Sequence, residues 1–259
     1  MKRVLLFLIV PALVAAFGLT SDTTHSAPPP NYLALGDSLG VGVGASDPAT
    51  TGYVPRFRDF LQTEKGLDTD VVLNNLSISG ATSGSLISDQ LPAALRDLKK
   101  LNGDKKPDND VEVITVDIGG NDVFALVGSP ANPGPCFGGP TPTCFAAVNS
   151  TFATFFGNFD SILDELRTAA GPDTTIIVMT YYNPLPGCFL FAFAPLADTV
   201  LAGLNGLIVT IAATHGAEVA DTFGKLPPDD LVGGFDCLHP TDGGYATIAG
   251  EFKAAFKDQ

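Results

Sequence analysis

Ser38 stands in the stretch "GDSLG", directly after the short apolar run Tyr32–Leu35. A serine hydroxyl attacks a carbonyl only when a base takes its proton, and the usual base is a histidine held in one tautomer by a carboxylate. The chain offers three histidines. His25 falls in the leader region. His215, in "AATHGAEV", comes at a helix end before Gly216, where an imidazole suits the negative pole of the helix, so a structural role fits it. His239, in "DCLH" in the last long loop, follows Asp236 by three residues. That spacing lets the carboxylate meet Nδ1 within one tight turn and leaves Nε2 free to face a serine. Acyl transfer also needs donors aimed at the oxyanion of a tetrahedral intermediate. The Gly80 N–H in "SISGATSG" and the Asn121 carboxamide in "DIGGND" are of the right kind. Each segment alone would pass for an ordinary Gly/Asn turn; in one chain they supply a nucleophile, a base, its carboxylate partner and oxyanion donors.

The elements that must position these residues follow from the apolar pattern. Runs of strand length at Tyr32–Leu35, Val71–Asn75, Val111–Asp117, Thr175–Tyr181 and Ala217–Asp221 alternate with segments of helical period at Tyr53–Lys65, Leu91–Leu101, Phe145–Ala170, Pro195–Thr214 and Asp242–Phe256. Such alternation predicts βαβ units and a parallel sheet. Ligands bind such sheets outside the carboxyl ends of the strands. The loops carrying Ser38, Gly80, Asn121 and His239 all follow strands, so they gather at one edge.

Two other readings of "GDSLGVGVGA" are weaker. As a dinucleotide-binding fingerprint it needs an acidic residue near the end of the second strand, whereas "VVLNNLS" ends in Asn74, Asn75 and Ser77. As the G-x-S-x-G elbow of α/β-hydrolases it needs an oxyanion loop from an earlier strand, and only a leader and a Pro-rich stretch precede Tyr32.

The ordered segments "GDS", "SGAT", "GGND" and "DCLHP" resemble the SGNH, or GDSL, hydrolase superfamily from Tyr32 to the C-terminus. The resemblance implies a flavodoxin-like three-layer α/β/α sandwich around a five-stranded parallel sheet. It implies Ser38 as nucleophile, His239 as base, Asp236 as its partner, and the backbone N–H of Ser38 with Gly80 and Asn121 as the oxyanion hole. It implies neither a metal nor an organic cofactor. Asp122, beside Asn121, is expected to fix a turn or support neighbouring loops.

Composition narrows the setting. "MKRVLLFLIVPALVAAFGL" has the basic start, interrupted apolar run and small residues of a secretory signal peptide, expected over residues 1–27, with a Pro-rich lead-in at 28–31 and one catalytic domain over 32–259. A secreted, extracellular monomer without a membrane anchor is expected. The net charge of −14 disfavours nucleic acid and anionic lipid as partners. Cys136, Cys144, Cys188 and Cys237 all lie in the exported part, where disulfides are the default. Three pairings are possible; joining Cys136 to Cys144 closes the insert "CFGGPTPTC" and leaves Cys188 with Cys237. Two N-glycosylation sequons begin at Asn75 and Asn149. "PGCFLFAFAPL", with Phe189, Leu190, Phe191, Phe193 and Leu196, reads equally as an acyl-chain groove or as the buried start of the next helix. The absence of tryptophan favours lipid or simple acyl esters over acetylated carbohydrate, which needs stacking platforms. A non-catalytic binding protein on the same fold would be signalled by loss of Ser38, Asn121 or His239, and all three are present.

Overall fold

The computed structural model describes residues 29–63, 70–104 and 106–257. The expected signal peptide therefore lies outside the described residues. In chain order the elements are β1 (Asn31–Gly36), α1 (Ser38–Val41), α2 (Pro48–Thr51), α3 (Tyr53–Thr63), β2 (Val72–Asn75), α4 (Ser83–Asp89), α5 (Leu91–Leu101), β3 (Val111–Asp117), α6 (Gly120–Val127), β4 (Gly128–Ser129), β5 (Asn132–Pro133), α7 (Pro142–Ala170), β6 (Thr175–Met179), α8 (Ala194–Thr214), β7 (Glu218–Ala220), β8 (Leu231–Gly233), β9 (Asp236–Pro240) and α9 (Asp242–Lys257).

Five strands form one parallel sheet in the order β2-β1-β3-β6-β7. Parallel strands covered on both faces must be apolar throughout, and Tyr32–Leu35 and Ile176–Met179 are all buried. Helices α3 and α9 pack together as one layer through Tyr53 stacked on Phe252, with ring centroids 4.7 Å apart, and Phe57 against Phe252 and Phe256. Helices α5, α7 and α8 form the other layer, where Phe155 and Phe159 stack within α7. The result is the expected flavodoxin-like three-layer arrangement. Strand order reverses at β1, because the chain first adds β2 on one side and then β3 on the other. The crevice beyond the carboxyl ends of β1 and β3 is thus the topological switch point.

Several boundaries differ from the sequence expectation. Strand β1 begins at Asn31, within the expected lead-in. Strand β6 stops at Met179 rather than Tyr181, because the Asn205 carboxamide takes over the Tyr181 backbone: Tyr181 N donates to Asn205 Oδ1 (2.7 Å) and Asn205 Nδ2 donates to Tyr181 O (2.8 Å). Helix α7 starts at Pro142, three residues before Phe145, since Thr141 caps it by accepting from Cys144 N (3.2 Å) and Pro142 fits the first turn. Helix α3 ends at Thr63, and residues 64 and 65 lie outside the described set. The DxxH segment, expected in a loop, is strand β9 of a hairpin with β8. Helices α1, α2, α4 and α6 are too short to show a helical period in the sequence.

Both disulfides pair neighbours in the expected way, Cys136 with Cys144 and Cys188 with Cys237.

Candidate active site

The turn that carries Ser38 is shaped by what lies behind it. Gly36 ends β1, and a Cβ there would collide with the Asp117 carboxylate; a Cβ on Gly40 would run into the Ser77 hydroxyl. The buried Gln90 side chain clamps the turn, accepting from Gly36 N (2.9 Å) and donating to Gly36 O (2.8 Å). Asp37 caps α1 by accepting from Leu39 N (2.9 Å), which sets Ser38 as the first helical residue. Asn75 Nδ2 donates to Gly40 O (2.8 Å), so the amide of the first sequon is engaged inside the protein and a glycan on it would break that contact.

The hairpin brings His239 to Ser38. Asp236 Oδ1 accepts from Leu238 N and His239 N, both at 3.0 Å, which folds the carboxylate back onto its own histidine. His239 Nδ1 lies 2.8 Å from Asp236 Oδ2, and His239 Nε2 lies 2.9 Å from Ser38 Oγ. Partial burial pushes the Asp236 carboxyl up, but the Leu238 N–H and the two His239 contacts outweigh it and hold the group below its ordinary value. Tyr182 Oη donates to Leu238 O (2.6 Å) and Tyr245 Oη to Val43 O (2.6 Å), tying the hairpin and the Ser38 turn to the core.

The two remaining expected residues sit on adjacent loops. Gly80 adopts φ +82°, a conformation that favours glycine, at a turn closed by Ala81 N donating to Ile78 O (3.0 Å). Asn121 Nδ2 donates to Ala81 O (2.9 Å), which joins the Gly80 loop to the start of α6; its contact with Asp37 Oδ2 is long at 3.4 Å and leaves the second amide hydrogen able to turn to a ligand. Asp122 accepts from Ser83 N (2.9 Å) and Ser83 Oγ (2.6 Å), so it anchors the start of α4 as a loop support.

Behind the turn lies a feature the motifs do not announce. Asp37 and Asp117 are both fully buried and adjacent. Asp117 accepts from Tyr53 Oη (2.5 Å), Asp37 N (3.2 Å) and Gly40 N (3.1 Å), and Asp37 Oδ2 accepts from Tyr181 Oη (3.2 Å). Burial pushes Asp37 up to about 6 and Asp117, facing the Asp37 charge, well above the ordinary carboxylate range. Two carboxylates sharing such a site favour holding one proton between them. A hint existed in the sequence, since Asp37 lies within "GDS" just after a strand and Asp117 ends a strand just before "GGND".

His215 is elsewhere. It caps the C-terminus of α8, with Nε2 2.8 Å from Asp160 Oδ1 and its carbonyl accepting from Arg167 Nε (3.0 Å), the structural role expected for it. His25 lies outside the described residues.

An apolar pocket opens beside Ser38 and Asn121, walled by Val123, Leu126 and Val127 of α6, Leu196, Val200 and Leu201 of α8, Tyr182 and Leu185 from the loop after β6, and Cys136 of the first disulfide. Of the loop phenylalanines that read equally as groove lining or as a buried helix start, none lines the pocket: Phe189 and Phe191 are exposed, and Phe193 packs on Phe137. Leu196 lines the pocket, and Leu190 is buried with Leu185, Cys188 and Cys237.

The doubly wound sheet thus brings Ser38, His239 and Asp236 into one contact chain at its switch point. The sequence profile of the GDSL-like Lipase/Acylhydrolase family matches residues 34–247, and the chain belongs to that family. It is a carboxylic ester hydrolase of the esterase/lipase type. Among curated proteins it is 27% identical to the spore germination lipase LipC of Bacillus licheniformis over 86% of this chain and 95% of the relative. It is 26% identical to the uncharacterized protein YpmR of Bacillus subtilis over 87% of this chain and 81% of the relative. Among solved structures, the lipase Lip_vut3 from a goat rumen metagenome superposes with a TM-score of 0.67 at 23% identity, covering 87% of this chain and 96% of that one. Axe2, an acetylxylan esterase from Geobacillus stearothermophilus, superposes with a TM-score of 0.57 at 18% identity over 87% and 93% of the two chains. These structural likenesses speak to the fold alone.

Proposed function

We propose that the protein is a secreted serine esterase that cleaves lipid or simple acyl esters through Ser38, His239 and Asp236. The observation that carries this reading is the unbroken contact chain Asp236–His239–Ser38, at 2.8 and 2.9 Å, at the mouth of an apolar pocket. His239 Nε2 takes the Ser38 proton as Oγ attacks the ester carbonyl, and Asp236 stabilises the imidazolium that forms. The developing oxyanion is met by the N–H groups of Ser38 and Gly80 and the Asn121 amide. Collapse of the tetrahedral intermediate breaks the ester C–O bond; His239 gives its proton to the leaving alkoxide, and water then repeats the sequence on the acyl-serine. No metal or organic cofactor has a role in these steps.

The apolar pocket supports an acyl chain rather than a sugar as the buried half of the substrate, because few polar groups line it to satisfy hydroxyls. The bonding of all four cysteines supports export. Labelling of Ser38 by an organophosphonate, read by peptide mass, tests the reading. Modification at Ser38 that abolishes ester hydrolysis is the expected result; full activity after labelling, or no labelling while activity persists, overturns it. A non-catalytic binding role would be indicated by absence of both labelling and hydrolysis across an ester panel.

A further inference from the structure

We propose that the rim of the active site is a docking surface for an uncharged ester-lipid assembly, such as the surface of a zwitterionic vesicle or a neutral lipid droplet. The proposal rests on the esterase reading above. Exposed apolar side chains gather on the loops at the carboxyl edge of the sheet. Val41 follows β1, Ile78 follows β2, Phe189 and Phe191 follow β6, and Val232 and Phe235 belong to the hairpin carrying Asp236 and His239. Phe191 is 66% exposed and Phe235 95% exposed, at the edge where the pocket opens beside Ser38.

The crest is held outward rather than poised to fold away. Phe235 follows Gly233 and Gly234, whose φ values of +71° and +64° make the tight hairpin tip. Gly234 N donates to Gly187 O (3.3 Å), Phe189 N donates to Gly234 O (3.2 Å), and the Cys188–Cys237 disulfide joins the two loops. The Phe189 and Phe235 rings lie 5.9 Å apart, so the two loops present them side by side. Below them Leu185, Leu190 and the disulfide form a small core that borders the pocket through Leu185. Apolar packing thus runs from the crest through this buried core to the pocket where the acyl chain would enter.

Charge selects the occupant. Segments 37–52, 76–82, 118–141 and 180–193, which follow four of the sheet strands, contain no Lys or Arg, and 76–82 and 180–193 contain no charged residue at all. On the loop after β7 the one cation, Lys225, is held by Glu251 at 2.7 Å. A face without free cations on a chain of net charge −14 gains nothing from anionic headgroups. Binding must come from burial of aromatic and aliphatic side chains at an interface.

The test uses Ser38→Ala protein, which keeps the surface and spares the lipid, in flotation with phosphatidylcholine vesicles containing triacylglycerol, and with the same vesicles enriched in phosphatidylglycerol. The expected result is partitioning into the neutral vesicles that neither anionic lipid nor low salt strengthens. Phe191→Ser and Phe235→Ser should each weaken it by about tenfold or more, the equivalent of one buried aromatic side chain. In the Ser38 background with the nucleophile intact, the same two variants should hydrolyse a monomeric water-soluble ester at an unchanged kcat/KM. Absence of partitioning, partitioning untouched by both substitutions, or dependence on anionic lipid would overturn the proposal. So would a wild-type dimer in gel filtration that Phe235→Ser converts to monomer, because the crest would then pair two copies. Vesicle binding is read without turnover, so failure of the esterase reading would appear separately, as absence of hydrolysis.

Discussion

If Asp117 carries the shared proton, asparagine reproduces its neutral form and alanine does not. Asp117→Ala strands Tyr53 Oη and Gly40 N, two buried donors that this carboxyl satisfies at 2.5 and 3.1 Å, whereas Asp37 N keeps the Asp117 backbone carbonyl at 3.1 Å. At about 1–3 kcal/mol for each orphaned donor, the loss is on the order of 2–6 kcal/mol, a large share of a domain's stability. In Asp117→Asn the amide oxygen can accept from the two backbone N–H groups while its N–H groups face Tyr53 and the Asp37 carboxylate, so the cost should stay within about 1 kcal/mol. Asp37 adds a pH dependence. Its folded pKa is raised from 3.8 to about 6, so the folded state binds more protons across that window and stability falls as pH rises through it. The shift corresponds to roughly 3 kcal/mol, present below pH 4 and gone above pH 6, which both Asp117 variants should alter. Urea unfolding followed by far-ultraviolet circular dichroism, suited to a chain without tryptophan, measures both effects at pH 4.5 and 7.5. Equal losses for Asn and Ala at pH 7.5 would refute a protonated Asp117, since an anion and not its neutral isostere would then be what the turn requires.

Further outcomes follow from the same geometry. His239→Ala should lower kcat by roughly 10³- to 10⁶-fold while His215→Ala, at the far end of α8, changes it little; similar losses in steady-state assays would displace His239 as the base. Asn121→Ala should lower kcat by about 10²- to 10³-fold with KM nearly constant, because its donor strengthens only as the oxyanion develops, and an unchanged kcat removes it from the hole. Replacing Cys188 and Cys237 together by Ser opens a loop of sequence separation 49 that is expected to contribute about 4 kcal/mol, and activity should fall below the melting transition because His239 loses its tether; parallel loss of activity and fold would contradict that. Val200→Trp, filling the pocket wall, should shift preference toward shorter acyl chains across an ester series, and an unaltered profile would place the acyl chain elsewhere.

Much of this arrangement is legible along the chain because its causes are local. The alternation of apolar runs and helical segments specifies a parallel sheet, as Val111–Asp117 and Leu91–Leu101 show by matching β3 and α5 end for end. The Asp236 to His239 spacing closes a backbone turn whatever surrounds it, and of three possible cysteine pairings the structure forms the one that closes the nine-residue insert on itself. Short elements such as α1 and α6 escape detection because a turn or two of helix carries no period. The position of the pocket was equally out of reach: Phe189 and Phe191 look no different in sequence from Leu196, and only the packing of α8 against α6 and α7 turns one inward and leaves the others in solvent. The Asp37–Asp117 pair, the Gln90 clamp and the 2.9 Å approach of His239 to Ser38 join residues 54 to 201 positions apart. Those contacts exist only because strand order reverses at β1 and hydrophobic burial closes the layers around it, bringing loops that share no local interaction to a single edge.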